Sequence, residues 1–102
     1  MAFKKLFEPV KIGNVTVPNR IAMAPMGMGD PLYNNEETWP KKVIRYYEER
    51  AIGGVGLLIT GFVRVHPKLA SYSIVGLYDD SQIPSHRELV NAVHRHGSKI
   101  FR

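Results

Sequence analysis

The chain contains no cysteine. That excludes a disulfide framework, a thiolate metal site and an iron–sulfur cluster held within these residues. No apolar run approaches the ~20 residues that span a bilayer. The N-terminal MAFKKLFEPVKIG has two lysines but no long apolar core, which argues against a signal peptide and sets a cytoplasmic protein with no membrane partner as the expectation. No run of five or more basic residues occurs, although the formal net charge is +5. The basic residues are spread along the chain, and many have acidic neighbours such as Glu36/Glu37 and Glu48/Glu49. This pattern is that of a solvated surface and speaks against a nucleic-acid partner.

What is present is an ordinary globular composition: 102 residues, 44% hydrophobic and 23% charged. That length holds one domain, taken here as residues 1–102, with no linker, repeat or low-complexity stretch. Lys11-Ile12 and Val15-Thr16-Val17 flank Gly13-Asn14, a pair that tolerates positive φ, so a small β-hairpin is expected there. Ile21–Ala24 is a short apolar run that reads as a buried strand. It ends in Pro25-Met26-Gly27-Met28-Gly29-Asp30-Pro31, where the prolines and glycines predict a loop. A loop straight after a buried strand is where α/β folds place ligands.

Residues 38–52 predict a helix with Thr38 as N-cap, Pro40 in the first turn, and Val43, Ile44, Tyr47 and Ala51 on its apolar face. Gly53-Gly54 ends it. Val55–Gly61 is apolar on both faces, as a parallel strand covered on both sides must be. Residues 62–80 read as irregular, with Asp79-Asp80 as a polar entry to the next helix. That helix is expected over 82–96, with Ser85 and Glu88 as a capping box and Leu89, Val90 and Val93 facing inward. Lys99-Ile100-Phe101 opens a third strand. The order hairpin, β, α, β, α, β implies right-handed βαβ units and a parallel sheet. Two and a half units leave an open strand edge, through which self-association is expected.

Four histidines are present. His94 and His96, two apart near a helix end, point to different faces and make poor joint metal ligands, so no metal site is expected. His94 is expected half-buried and His96 solvated. Tyr46 and Tyr47 are expected to pack rather than catalyse, and Asn19-Arg20 to clamp the hairpin cap.

Three segments, LFEPVKIGNVTVPNRIAMAPMG at 6–27, YYEERAIGGVGLLITG at 46–61 and LYDDSQIPSHRELVNAVHRHGSKIF at 77–101, carry a specific likeness. In this order they resemble the old yellow enzyme family of NADH:flavin oxidoreductases, in particular its 2-enoate reductase and 2,4-dienoyl-CoA reductase branch. The resemblance implies an α/β fold that is part of a (β/α)8 barrel, with FMN at the C-terminal ends of the strands. Such barrels need roughly 250 residues, so it covers under half of one. It implies FMN as cofactor, NAD(P)H as reductant and an activated alkene as small-molecule substrate.

Carried onto this chain, the resemblance assigns the flavin wall to Ala24, Pro25, Met26 and Gly27 after the first barrel strand, and to Gly61 and Phe62 after the second. A Gly-containing loop lets backbone approach a flat ring, and Met26 offers a polarisable contact. Many relatives have a small residue where Phe62 stands, and several have Thr or Cys where Gly27 stands. The family's substrate-anchoring His pair falls beyond residue 102, so no catalytic residue is assigned here. The alternative reading is a catalytically inactive, self-associating barrel fragment.

Overall fold

A computed structural model of the chain describes residues 2–27, 37–68 and 75–102. A 3₁₀ turn at Lys4–Phe7 precedes a two-stranded antiparallel hairpin of β1 (Val10–Ile12) and β2 (Val15–Val17). Val10 pairs with Val17 and Ile12 with Val15. Of the two turn residues only Gly13 takes a positive φ, 57°, which a side chain would make costly.

The main sheet has three parallel strands in the order β3 (Ala22–Met23), β4 (Leu57–Ile59), β5 (Lys99–Phe101). Ala22 lies opposite Leu57, and Leu58 opposite Ile100. The crossovers are α1 (Lys41–Ile52) and α2 (Ile83–His94), so the βαβαβ order expected from the sequence is present. Both helices pack on one face of the sheet. There Leu58, Tyr47, Leu89 and Val93 are completely buried, with Met23 and Ile100 packed against them. Period-2 alternation turns Leu57 to the opposite face. Its cover is the hairpin, since Leu57 shares an apolar cleft of about 260 Å³ with Val10, Ile12 and Val17. The hairpin therefore caps one end of the sheet and leaves the C-terminal ends of the strands accessible.

The face expected for α1 is the face observed: Val43, Ile44, Tyr47 and Ala51 are its buried residues. Its start differs. Pro40, not Thr38, is the N-cap, because the Pro40 carbonyl accepts the amides of both Val43 and Ile44 at 3.0 Å. A proline there sacrifices no intrahelical bond, since it has no N–H to give. Gly54, with φ 101°, reverses the chain after α1. The capping box also moves. Ser85 lies inside α2, and the box is formed by Asp79 and Gln82 across a 3₁₀ turn, Asp80–Gln82, that runs into α2. Asp79 accepts from the Ser81 amide and hydroxyl, which holds its carboxyl below the usual range. The expected polar entry at Asp79-Asp80 is thus present.

Three burial expectations change. Ile21–Ala24 is not a buried strand: Ala22 and Ala24 are exposed and Met23 is half-buried, because among the described residues β3 has a strand neighbour on one side only. Val90 is half-buried, and His86 and Ala92 join Leu89 and Val93 on the inner face of α2. Of the two late histidines, His94 is exposed rather than half-buried, while His96 is exposed as expected and its ring meets the Glu48 carboxylate at 3.1 Å.

Candidate functional site at the strand ends

The six residues expected to form a cofactor wall leave the sheet from two neighbouring parallel strands. Ala24–Gly27 follows β3 and Gly61–Phe62 follows β4. The rest of the loop, from Met28 to Pro31, lies outside the described residues.

Gly61 holds the two strand ends together. A Cβ on Gly61 would stand 2.7 Å from the Met26 carbonyl oxygen and 3.2 Å from the Gly27 Cα. Backbone against backbone leaves no flexible atom to give way, so only glycine fits. From behind, the Gly61 amide donates to the hydroxyl of the buried Tyr47 at 3.1 Å. From the side, the Thr60 amide donates to the Phe101 carbonyl at 2.9 Å, carrying the β4–β5 ladder one step further.

In front, no atom of the described residues lies within 4 Å of where a Gly27 Cβ would stand, and Met26 is half exposed. An apolar strip with accessible backbone has the shape and chemistry to lie along a flat aromatic ring such as an isoalloxazine. The strip carries no charged side chain, so a phosphate would have to be held by other groups. Phe62 leaves the strip. Its ring, 62% exposed, lines a separate cleft with Val63, Val65, Leu77 and Arg102.

Several residues that shape this end were not legible in the sequence. His86 is buried; its Nδ1 accepts from the Trp39 indole at 3.1 Å and its Nε2 meets the Gly76 carbonyl at 3.0 Å. Nδ1 is the acceptor, so the proton sits on Nε2, which donates to Gly76. Burial, followed by the positive charge of Arg102, holds the pKa of this ring below the ordinary histidine value, although the Gly76 hydrogen bond acts in the other direction. The Ser85 hydroxyl accepts from the Trp39 amide at 3.1 Å. Glu37 pairs with the buried Arg64 and accepts from the Tyr78 hydroxyl. These contacts fasten the start of α1 to α2 and to the connection between β4 and α2. Most of their partners lie more than 25 positions apart, up to the 47 between Trp39 and His86, and no local pattern announces them.

Asn19 clamps a different place from the one expected. Its Nδ2 donates to the Gly54 carbonyl at 2.7 Å and its Oδ1 accepts from Ile21 N at 3.0 Å, tying the turn after α1 to the start of β3. The contact with the N-terminal cap is made by the backbone of Arg20, whose amide donates to the Leu6 carbonyl. Among the described residues, no three His, Cys, Asp or Glu side chains gather to hold a metal ion. None of the described helices is long and apolar enough to cross a membrane.

Parallel βαβ units with a backbone-walled strip at the C-terminal strand ends define part of an α/β protein of the barrel type, a class whose active sites lie at that rim. The chain belongs to the NADH:flavin oxidoreductase / NADH oxidase family, which it matches over residues 5–101. It is 40% identical over 107 residues to an N,N-dimethylglycine/sarcosine dehydrogenase of Chromohalobacter salexigens, covering 99% of this chain and 15% of that protein. It is 34% identical over 104 residues to a cinnamate reductase of Clostridium sporogenes, covering 97% and 16% respectively. Among solved structures it resembles the old yellow enzyme of Trypanosoma cruzi with a TM-score of 0.81 at 34% identity, covering 99% of this chain and 26% of that one. The chain thus spans about a sixth of those two curated relatives and about a quarter of that solved barrel.

Proposed function

We propose that residues 1–102 form part of a single barrel domain and supply one wall of the FMN site of an NAD(P)H-dependent oxidoreductase that reduces activated alkenes. The observation that carries this reading is the fit of Gly61 against Met26 and Gly27, which makes one continuous apolar strip from two strand ends. FMN, when bound, would supply the hydride chemistry. The chain's own part is to orient and to exclude water. Ala24–Gly27 would lie along the ring, and Tyr47 would fix the Gly61 amide from behind. The cinnamate reductase and the old yellow enzyme among its relatives support the alkene as substrate class.

Titration of the purified chain with FMN, followed by visible absorbance, tests the reading. Saturable binding with a shifted flavin band is expected, and Gly61→Val should abolish it while Phe62→Ala leaves it largely intact. Binding that survives Gly61→Val in a folded variant would sink the reading. A second reading, a catalytically inactive fragment that self-associates, is favoured by one observation: among the described residues β3 and β5 each have a strand neighbour on one side only.

A further inference from the structure

One hydrogen bond in the core cannot coexist with a proton on the ring that accepts it. Trp39, the sole tryptophan, is 4% exposed, and an indole can only donate. Its acceptor is Nδ1 of His86, at 3.1 Å. A protonated imidazole carries N–H on both nitrogens and has no acceptor left. The bond from Nε2 to the Gly76 carbonyl, at 3.0 Å, survives protonation, because Nε2 donates in either state. Of the ring's two bonds, a proton therefore removes only the one to the indole, and it sets two N–H donors against each other.

Trp39 is held so that its side chain can leave while its backbone stays. The Trp39 amide donates to the Ser85 hydroxyl at 3.1 Å, and the next residue, Pro40, is the N-cap of α1. Neither anchor titrates. On its other side the indole meets the Tyr47 ring edge to face at 5.8 Å, and the Tyr47 hydroxyl accepts the Gly61 amide at 3.1 Å. His86, Trp39, Tyr47 and Gly61 thus form one line of contacts from α2 to the strand-end strip.

Among the described residues, the ring faces the Trp39 indole just ahead of α1, the Gly76 carbonyl before α2 and the Arg102 cation after β5. Behind Gly76, whose amide donates to the Glu37 carbonyl, the Glu37 carboxylate is already paired with Arg64. Burial first, and then the Arg102 charge, disfavour the protonated ring against the pull of the Gly76 bond. The indole bond is therefore intact at neutral pH and is challenged only on the acid side of 6.5.

We propose that His86 is a proton-operated latch on the strand-end strip: the neutral ring holds Trp39 against Tyr47, and a proton taken up by the folded chain frees the indole and loosens the Gly61 amide. The latch needs no flavin, so its test stands or falls independently of the flavin reading.

The test is an NMR titration of the ¹⁵N-labelled chain without flavin, from neutral to acid pH. It follows the His86 ring, the single indole N–H and the amides of Gly61, Leu89 and Val93. The indole N–H and the Gly61 amide should shift with the midpoint of the His86 ring. Below that midpoint both should exchange with solvent at least about tenfold faster, the equivalent of one hydrogen bond. Leu89 and Val93, on the buried face of α2, should stay in place, and the change should reverse at neutral pH. His86→Gln offers an amide oxygen to the indole and an N–H to Gly76 but takes up no proton in this range, so it should abolish the transition. Trp39→Phe removes the donor that favours the neutral ring, so the His86 midpoint should rise. This second variant decides the matter if His86→Gln does not fold. An indole or Gly61 signal that ignores the His86 midpoint would overturn the proposal. So would a transition that persists in His86→Gln, a His86 midpoint unchanged in Trp39→Phe, or loss of the whole spectrum in one step, which is unfolding rather than release.

Discussion

Tyr47 shows how a single side chain serves core and site together. Its ring is fully buried and meets the Trp39 ring edge to face at 5.8 Å, while its hydroxyl accepts the Gly61 amide. Helical spacing was enough to place that ring in the core, but not to find the hydroxyl's partner, which lies 14 residues on in another element. Tyr47→Phe keeps the packing and strands a buried amide, so it should cost roughly 1–3 kcal/mol. Chemical denaturation checks this. A cost near zero would mean that water or another group satisfies Gly61. Gly56 shows the converse: the sequence marked it only as one small residue within a strand. A Cβ there would stand 2.5 Å from Asn19 Oδ1 and 2.8 Å from the Asn19 carbonyl. Gly56→Ala should therefore break the clamp between Gly54 and β3 and lower the thermal midpoint, whereas Gly27→Ala, with no atom of the described residues within 4 Å of the added carbon, should leave the midpoint nearly unchanged.

At the scale of elements, period and punctuation carried the reading. The apolar spacing of α1 named its four buried residues, and the hairpin and the three parallel strands fell where glycine, proline and β-prone runs placed them. Helix starts were less legible, because capping depends on which carbonyl accepts the first bonds. Thr38 and Ser85 had suitable side chains in the wrong register. The junction between α1 and α2 was invisible for a further reason: it is made by His86, a residue type that usually stays partly wet, satisfied on both nitrogens by groups from distant segments. This junction gives a pH dependence. Among the described residues, the groups facing the ring are the Trp39 indole just ahead of α1, the Gly76 carbonyl before α2, and the Arg102 cation after β5. Its folded pKa lies below the ordinary value of 6.5, so the neutral ring stabilises the fold fully above that pH. Below 6.5 the unfolded chain takes up a proton that the folded ring refuses, and stability falls until the folded pKa is passed. His86→Leu should cost roughly 1–3 kcal/mol at neutral pH by orphaning the indole and the carbonyl, and should flatten this acid-side slope. Thermal melts of both proteins through this range decide it. An equal slope in the two would assign the pH dependence to other groups, such as Glu48, whose pKa is also lowered, first by its bond to His96.

Across the whole molecule, the sheet is finished on one face and unfinished at its edges. The helices cover one face, and the hairpin covers the end of the other near Leu57, but β3 and β5 keep one side each without a strand among the described residues. Unpaired strand edges template further pairing. On β3, the Ile21 carbonyl turns inward to accept the Gly56 and Leu57 amides, so alternation along a parallel strand turns the Ala22 amide outward. The Ala22 side chain is exposed, so this position can be changed without touching the core. The chain studied by itself should therefore associate in a concentration-dependent way, with a sedimentation coefficient that rises on going from micromolar to millimolar protein. Ala22→Pro removes the outward donor and leaves the inward ladder in place, so it should shift that rise to higher concentration. High salt should change the association little, because backbone pairing rather than the net charge of +5 drives it. Association that vanished in salt would point instead to the basic surface. Association untouched by Ala22→Pro would move the contact to β5, where the same alternation turns the Ile100 amide outward, beside the cleft that ends at Arg102.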